Sequence, residues 1–112
     1  MKKYGAKKDA NHKEIFKIIE QKCCVMDLSH AGYGVPDGLA VVKGEIFLFE
    51  VKNPNTSYGR RGLNNNQKNW IKDWRGGPVY ILRNDEDARN FSEGRFEKVE
   101  KEDSGWTAEH RE

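Results

Sequence analysis

Two apolar runs separated by a lysine–glycine pair constrain the fold of this chain more than any other feature. The runs cover residues 39–42 and 46–51, and the pair Lys43-Gly44 between them is a turn signal. Apolar runs of this length on either side of a turn predict a β-hairpin. We expect the rest of the chain to be organised around this hairpin, because its second strand is the most hydrophobic of the sequence.

Charged side chains stand at the open end of the predicted hairpin. Asp37 precedes the first strand, and Glu50 and Lys52 close the second. In an antiparallel hairpin the start of one strand lies beside the end of the other, so we expect Asp37 to lie close to Glu50 and Lys52. Side chains alternate along a strand, which puts Glu50 and Lys52 on one face and Val51 on the other. The sequence therefore predicts two carboxylates and one ammonium at one end of a buried hairpin.

The remaining segments predict an α/β fold with a small mixed β-sheet of about four strands, in the order α-β-β-β-α-β-α. A helix starts at Asn11, and a strand covers residues 24–28. A second helix starts at residue 64 or 65 and ends at residue 74. A short apolar strand covers residues 79–82, and a last helix follows to about residue 91. A strand, helix, strand order makes the strand at 79–82 parallel to the second hairpin strand, through a right-handed crossover.

The length and composition are those of a single small domain with much charged surface. The chain has 112 residues, of which 34% are charged. No apolar run approaches the roughly 20 residues that span a bilayer, and the basic start has no hydrophobic segment of a signal peptide behind it. We therefore expect a cytoplasmic protein with no membrane partner, and we expect the adjacent Cys23 and Cys24 to be reduced, packed thiols.

Charge is unevenly distributed although the formal net charge is only +2. Residues 1–22 carry seven lysines against three acids, and residues 52–75 carry six basic residues against one acid. Residues 83–112 carry ten acids against six basic residues. Two basic segments on either side of a carboxylate cluster would suit a polyanion held by its phosphates, with a metal at the acids. An ordinary solvated surface is the alternative interpretation.

The carboxylates at the hairpin end have the hard oxygen atoms that suit Mg²⁺ or Mn²⁺. These ions need only one or two carboxylates besides waters and phosphate oxygens. A surface ion pair is the simpler alternative, but unpaired charges at the end of the most hydrophobic strand would be costly. The chain has no glycine-rich phosphate loop followed by Lys-Ser or Lys-Thr, so we expect no nucleotide cofactor.

Glu14 and Gln67 each allow two interpretations. Glu14 lies three residues after Asn11, which is the spacing of a capping box, but its place beside the apolar stripe also allows it to point toward the sheet and a metal. Gln67 lies on the same side of its helix as Trp70 and Trp74, so it needs a hydrogen-bond partner. That partner is either a sheet edge, or a metal-bound water or substrate phosphate.

The polar segment 53–62 predicts a mobile loop directly after the second hairpin strand. Its two arginines, Arg60 and Arg61, could grip phosphates, and Tyr58 could stack on a base. An ordinary linker is the alternative.

The charged residues of the hairpin also form a known pattern. Val35-Pro36-Asp37, then twelve residues, then Glu50-Val51-Lys52 resembles the signature of the PD-(D/E)XK nuclease superfamily. Further segments make the chain similar to small stand-alone VRR-Nuc domains and to related phage-type Holliday-junction-resolving nucleases. These segments are Asn11-His12-Lys13-Glu14, Gly32-Tyr33-Gly34-Val35-Pro36-Asp37 and Asn66-Gln67.

The resemblance covers about residues 9–91. We interpret residues 1–112 as a single nuclease domain, with a basic N-terminal arm at 1–8 and an acidic C-terminal extension at 92–112. The acidic extension carries the opposite charge to that of a DNA-binding surface, which departs from the pattern of these nucleases.

The resemblance implies a role for each matched residue. Asp37 and Glu50 would bind the metal, with the Val51 carbonyl as a further ligand. Lys52 would orient or deprotonate the attacking water and offset charge on the scissile phosphate.

Glu14 would join the metal shell directly or through water, and Gln67 would support the lysine or the water. The candidate catalytic residues are therefore Glu14, Asp37, Glu50, Lys52 and Gln67, and the candidate DNA-contacting residues are Lys13, Tyr58, Arg60, Arg61 and Lys68.

The resemblance implies a restriction-endonuclease-like core and a Mg²⁺-dependent DNA endonuclease of a bacterial or phage-infected cytosol, with Mn²⁺ as a substitute. We expect branched or Holliday-junction DNA as the substrate, because a small domain has little surface for sequence readout. Symmetric cutting of paired strands favours a homodimer. One alternative is a catalytically silent nuclease-fold module that binds DNA or a protein of a phage replication or packaging system. Another is a sequence-specific restriction enzyme, which would need an added recognition element.

Overall fold

The computed structural model describes residues 11–105, and within this range five strands form one mixed sheet in the order β1-β2-β3-β4-β5. In chain order the elements are α1 (His12–Glu20), β1 (Cys24–Asp27), β2 (Gly38–Val42), β3 (Glu45–Val51), the one-turn helix α2 (Ser57–Arg60), α3 (Asn65–Trp74), β4 (Val79–Leu82), α4 (Asp85–Ser92), a 3-10 turn (Phe96–Lys98) and β5 (Glu100–Glu102).

The predicted hairpin is confirmed as β2 and β3. The two strands are antiparallel, with Gly38 opposite Phe49 and Val42 opposite Glu45. Lys43 and Gly44 both have positive φ angles, of 52° and 84°. Two consecutive residues of this kind form the tight turn whose twist matches that of the flanking strands.

The predicted parallel pairing is confirmed as well. β4 pairs with β3 in parallel, and Glu50 lies opposite Ile81. β1 pairs with β2 in antiparallel fashion. The carboxyl ends of β3 and β4 therefore meet at the same edge of the sheet.

Side-chain alternation along β3 and β4 divides the core into two layers. Phe49 and Val51 point to the face covered by α1 and α4, where the cluster also contains Ile15, Ile19, Tyr80, Leu82 and Phe91. Leu48 points to the opposite face, where the cluster also contains Leu63, Ile71, Val79 and Ile81. Helix α3 supplies Ile71 and so covers this second face. Glu50 and Lys52 follow Leu48 at intervals of two, which places them on the α3 face.

The structure departs from the predicted element order by two additions, α2 and β5. β5 pairs antiparallel with β4, with Glu100 opposite Ile81, so the sheet continues well beyond residue 91. Its sequence, Glu-Lys-Glu, contains no apolar residue, and the strand is mostly exposed. Backbone pairing at the sheet edge holds it, and hydrophobic periodicity could not have predicted it.

The capping-box interpretation of Glu14 is wrong. Asn11 precedes α1 as predicted, but its side chain makes no capping hydrogen bond. Instead, Asn11 Nδ2 donates to the carbonyl oxygens of Lys52, at 3.3 Å, and Arg83, at 3.0 Å. These carbonyls follow β3 and β4, so the start of α1 is tied to the carboxyl ends of both strands.

No helix within residues 11–105 is long and apolar enough to cross a membrane. Cys23 and Cys24 are both free thiols, but the prediction that both are packed is wrong for Cys24, which is exposed, while Cys23 is half-buried. The predicted basic arm at residues 1–8 and the last part of the acidic extension lie outside the described residues.

Candidate active site

Asp37 and Glu50 lie beside each other at the open end of the hairpin. The β2–β3 register pairs Gly38 with Phe49, and continued by one residue it sets Asp37 opposite Glu50. The Asp37 carbonyl accepts the Leu28 amide at 2.7 Å, and Asp37 Oδ2 accepts the Val51 amide at 2.8 Å. The backbone on both sides therefore fixes the aspartate, and the two carboxylates are cross-strand neighbours.

Glu50 and Lys52 form a buried pair of opposite charges. Their residues are only 5% and 2% exposed, and Lys52 Nζ lies 3.9 Å from Glu50 Oε2. Removing two charges from water costs several kcal/mol per ion unless each finds additional hydrogen bonds. The pair therefore needs polar support, and the α3 face provides it.

Gln67 on α3 bridges the two charges. Its Nε2 donates to Glu50 Oε2 at 2.7 Å, and its Oε1 accepts from Lys52 Nζ at 3.1 Å. An amide has a donor end and an acceptor end, so one glutamine satisfies a carboxylate and an ammonium together. The prediction that Gln67 faces inward and needs a partner is confirmed, and its partners are the two hairpin residues.

The first turn of α3 fixes the position of Gln67. Asn64 Oδ1 accepts a hydrogen bond from the backbone N–H of Gln67 at 2.9 Å, and Gln67 Oε1 accepts one from the backbone N–H of Asn64 at 2.9 Å. Together these two bonds form a capping box. Gln67 therefore holds its own helix end while it bridges Glu50 and Lys52. Sequence analysis missed the role of Asn64, although Asn64 and Gln67 have the three-residue spacing of a capping box.

The loop before Asp37 packs closely against the same helix end. Gly34 has a φ of 84°, and a Cβ at this position would collide with the backbone carbonyl of Asn66. Only glycine allows both the left-handed backbone and the close approach. The loop that leads to Asp37 and the helix that carries Gln67 are thus in direct contact.

Asn11 is a second residue that sequence analysis missed. Its contacts reach residues 41 and 72 positions away, so no local sequence pattern could have revealed them. Since one of them is the Lys52 carbonyl, Asn11 fixes the backbone from which the buried ammonium extends.

The structure does not bring Glu14 into this cluster. Helix α1 packs on the face opposite α3, where the Phe16 and Phe49 rings lie 5.1 Å apart. Glu14 is exposed to solvent on this helix. It lies one turn from Asn11, near the strand ends but outside the bridged group.

The predicted DNA-contacting side chains of Lys13, Arg60, Arg61 and Lys68 are exposed. The segment predicted as a mobile loop instead contains α2, whose cap is the Thr56 hydroxyl, an acceptor of the Gly59 amide at 2.9 Å. Tyr58 belongs to α2, and the prediction for its side chain falls outside the described part of the structure.

The donor set fits a hard divalent cation that is shared with substrate. Two carboxylates and one ammonium leave one net negative charge at Asp37, Glu50 and Lys52. Within residues 11–105 no group of three or more His, Cys, Asp or Glu side chains is placed to hold an ion. Mg²⁺ is commonly held by only one or two carboxylates, with waters and phosphate oxygens completing its shell, so Asp37 and Glu50 meet this requirement.

Comparisons with protein-family models, with curated proteins and with solved structures return no match for this chain.

Proposed function

We propose that this chain is a divalent-metal-dependent DNA endonuclease that hydrolyses phosphodiester bonds, built on a restriction-endonuclease-like core. The observation that carries the proposal is the buried Glu50–Lys52 pair, bridged by Gln67, with Asp37 opposite Glu50 in the strand register. A buried ion pair contributes little to stability compared with apolar residues of similar size. The charges at this strand end are therefore best explained by a chemical task.

Asp37 and Glu50 would hold Mg²⁺, or Mn²⁺ in its place, and the Val51 carbonyl is the further ligand that the resemblance implies. When bound, the ion would make a water more acidic and offset negative charge on the phosphate. The backbone N–H of Val51 holds Asp37, and the side-chain amide of Gln67 holds Glu50. Neither carboxylate therefore has to be ordered when substrate binds. Such preorganisation lowers the cost of reaching the transition state.

Lys52 supplies the positive charge of the site. Its ammonium donates to Gln67 and extends from the same face as Glu50, which orients it toward the carboxylates. As an ammonium it would orient the attacking water and offset charge on the scissile phosphate, and only after losing a proton could it act as the base for that water. Gln67 is a positioning residue for Glu50 and Lys52.

We propose branched DNA, such as a Holliday junction, as the substrate, and a homodimer as the active form. The described residues form one small sheet with its helices and offer little surface for reading sequence. Cutting two strands symmetrically calls for two sites related by a two-fold axis. Light scattering with and without four-way DNA tests this assembly, and a monomer under both conditions would contradict it.

A catalytically silent DNA-binding module is the second candidate. The exposed position of Glu14 favours it, because this leaves two carboxylates rather than three at the strand end. Such a module would bind DNA equally well with Mg²⁺ or with chelator.

The deciding experiment measures cleavage of labelled linear, flap and four-way DNA with Mg²⁺, Mn²⁺ or chelator. We expect Asp37→Asn, Glu50→Gln and Lys52→Met each to lower the rate by about 100-fold or more, while DNA affinity in chelator is retained. Glu45→Gln is the matched control, because Glu45 is an exposed carboxylate at the other end of β3. Cleavage that persists in chelator, or an equal loss in Glu45→Gln, would refute the proposal.

A measurement without DNA tests the metal site itself. A ligand that binds only the folded state raises its stability. We expect Mg²⁺ to raise the Tm of the wild-type protein and of Glu45→Gln, but not of Asp37→Asn. Equal Tm shifts in all three proteins would mean that Mg²⁺ binds at another site.

A further inference from the structure

Tyr33 presents an aromatic ring to solvent close to the candidate active site. The residue is 91% exposed, more than any other large hydrophobic residue whose burial the structure describes. Aromatic side chains contribute to stability mainly through the area they bury. The ring of Tyr33 buries almost none, so packing does not explain its presence.

The backbone around Tyr33 is in an unfavourable conformation. Gly32, Tyr33 and Gly34 have consecutive positive φ angles of 73°, 56° and 84°. Glycine adopts this region freely, whereas a tyrosine there is strained. Strained residues of this kind concentrate at functional sites, where the surrounding structure holds them in place.

Several contacts hold the loop that carries Tyr33. The Val35 amide donates to the Gly32 carbonyl at 3.2 Å, which closes a turn around Tyr33. The Leu28 amide donates to the Asp37 carbonyl at 2.7 Å and closes the base of the loop. Gly34 lies directly against the backbone of α3. The ring is therefore presented from an anchored turn.

The loop also places Tyr33 near the proposed chemistry. Tyr33 precedes Asp37 by four residues, so their Cα atoms are at most about 14 Å apart. Its neighbour Gly34 touches Asn66, the residue before Gln67. The turn that carries the ring thus lies against the first turn of α3 and leads directly to Asp37.

We propose that Tyr33 stacks on an accessible nucleobase of the DNA substrate and thereby selects DNA that is unpaired or unstacked near the cut. This inference rests on the proposed nuclease function and specifies its substrate. Every base has a π face, so stacking on an aromatic ring tolerates any sequence. Bases inside a continuous duplex are already stacked, whereas a branch point exposes base faces. A ring carried on an anchored turn beside the site would distinguish these substrates without reading sequence.

The experiment compares Tyr33→Ala and Tyr33→Phe with Ile46→Ala, a control that removes an exposed apolar side chain from the far end of β3. Binding is measured in chelator, on four-way and linear DNA of the same sequence. A fluorescent base analogue at the branch point reports stacking. We expect Tyr33→Ala to weaken four-way binding by about 5- to 150-fold and linear binding by at most about 2-fold, with the stacking signal lost. We expect Tyr33→Phe and Ile46→Ala to behave like the wild type.

Equal affinity of Tyr33→Ala and wild type for four-way DNA would overturn the inference, and so would an equal loss on both substrates. A dimer that dissociates in Tyr33→Ala would also overturn it, since the ring would then contact a second copy of the chain. If the wild type cleaves branched DNA with Mg²⁺ but Tyr33→Ala retains its selectivity, this inference alone fails. If the wild type neither binds nor cleaves DNA, the proposed function fails as well.

Discussion

Gln67 shows how one residue can serve both the fold and the candidate site. Its backbone and side chain complete the capping box with Asn64, and the same side chain bridges Glu50 and Lys52. Both ends of the amide are in use, so no other natural side chain of this length offers the same two contacts. A carboxylate would repel Glu50, and an apolar side chain would leave both charges without their bridge.

The loss of this bridge can be measured as stability. We expect Gln67→Ala to lower the free energy of unfolding by about 1–3 kcal/mol, because it leaves buried polar groups without partners. Asn65→Ala, at an exposed position two residues earlier on α3, is the matched control and we expect it to change stability by less than about 0.5 kcal/mol. Urea denaturation gives both values. Equal effects of the two substitutions would mean that the bridge contributes nothing to stability.

The adjacent Cys23 and Cys24 differ in solvent exposure, and this difference can be measured through the alkylation rates of their thiols. Burial raises the pKa of the Cys23 thiol above its usual range, and the nearby Lys22 offsets this only in part. Cys24 is exposed. The thiolate is the reactive form, so a raised pKa means that less Cys23 reacts at a given pH.

We therefore expect iodoacetamide at pH 8 to alkylate Cys24 about 10-fold or more faster than Cys23 in the folded protein. Raising the pH toward the elevated pKa of Cys23 should increase the Cys23 rate. In urea the two rates should converge, which serves as the control. Peptide mass spectrometry distinguishes the two sites, and equal rates in the folded protein would contradict the burial of Cys23.

Among the elements, the loop between β1 and β2 and the first turn of α3 form one unit. Gly34 is the point of contact, since its missing Cβ makes room for the Asn66 carbonyl. Gly44, in the hairpin turn, has the same φ of 84° but faces open space. Substituting alanine at each of the two glycines therefore distinguishes the free-energy cost of the backbone conformation from the cost of a steric collision.

We expect Gly44→Ala to lower the free energy of unfolding by about 1 kcal/mol, from backbone strain alone. Gly34→Ala should cost about 1–3 kcal/mol more, because the loop must also move away from α3. If the proposed function is correct, Gly34→Ala should slow DNA cleavage while Gly44→Ala does not. Chemical denaturation of both variants tests the first expectation, and similar stabilities would mean that the loop can shift without cost.

At the scale of the whole molecule, acids of the C-terminal segment pair with basic side chains of the protein itself, and Lys22 Nζ donates to Glu93 Oε2 at 2.7 Å. β5 carries acids on the strand beyond β4, and Arg83 Nε donates to Glu100 Oε1 at 2.9 Å. Exposed Arg60 and Arg61 follow β3, beside the candidate site. Part of the acidic charge is thus paired within the protein.

The two exposed arginines after β3 predict how DNA binding depends on salt. The plot of log K against log salt has a negative slope, and each phosphate contact that is lost reduces the magnitude of this slope by about 1. We expect the double substitution Arg60→Ala, Arg61→Ala to reduce the magnitude of the slope by about 2. Arg89→Ala, an exposed position on α4, should leave it unchanged. Fluorescence anisotropy over a range of salt concentrations measures the slopes, and an equal effect of Arg89→Ala would indicate binding by overall charge.

The sequence by itself determined the hairpin, the parallel pairing of β3 with β4 and the proximity of Asp37, Glu50 and Lys52. The hairpin and the cluster at its open end depend on short-range rules, since strand alternation and turn residues act over a few positions. The parallel pairing follows from the strand, helix, strand order and the handedness of its crossover. It did not reveal β5, because three charged residues carry no periodic pattern.

Only the tertiary structure decided which side chains join the cluster. It tied Asn11 to the strand ends and made Gln67 the bridge. It also left Glu14 outside, because α1 packs on the opposite face of the sheet. Contacts between residues far apart in the chain depend on how elements pack, and the local sequence around each residue does not encode that packing.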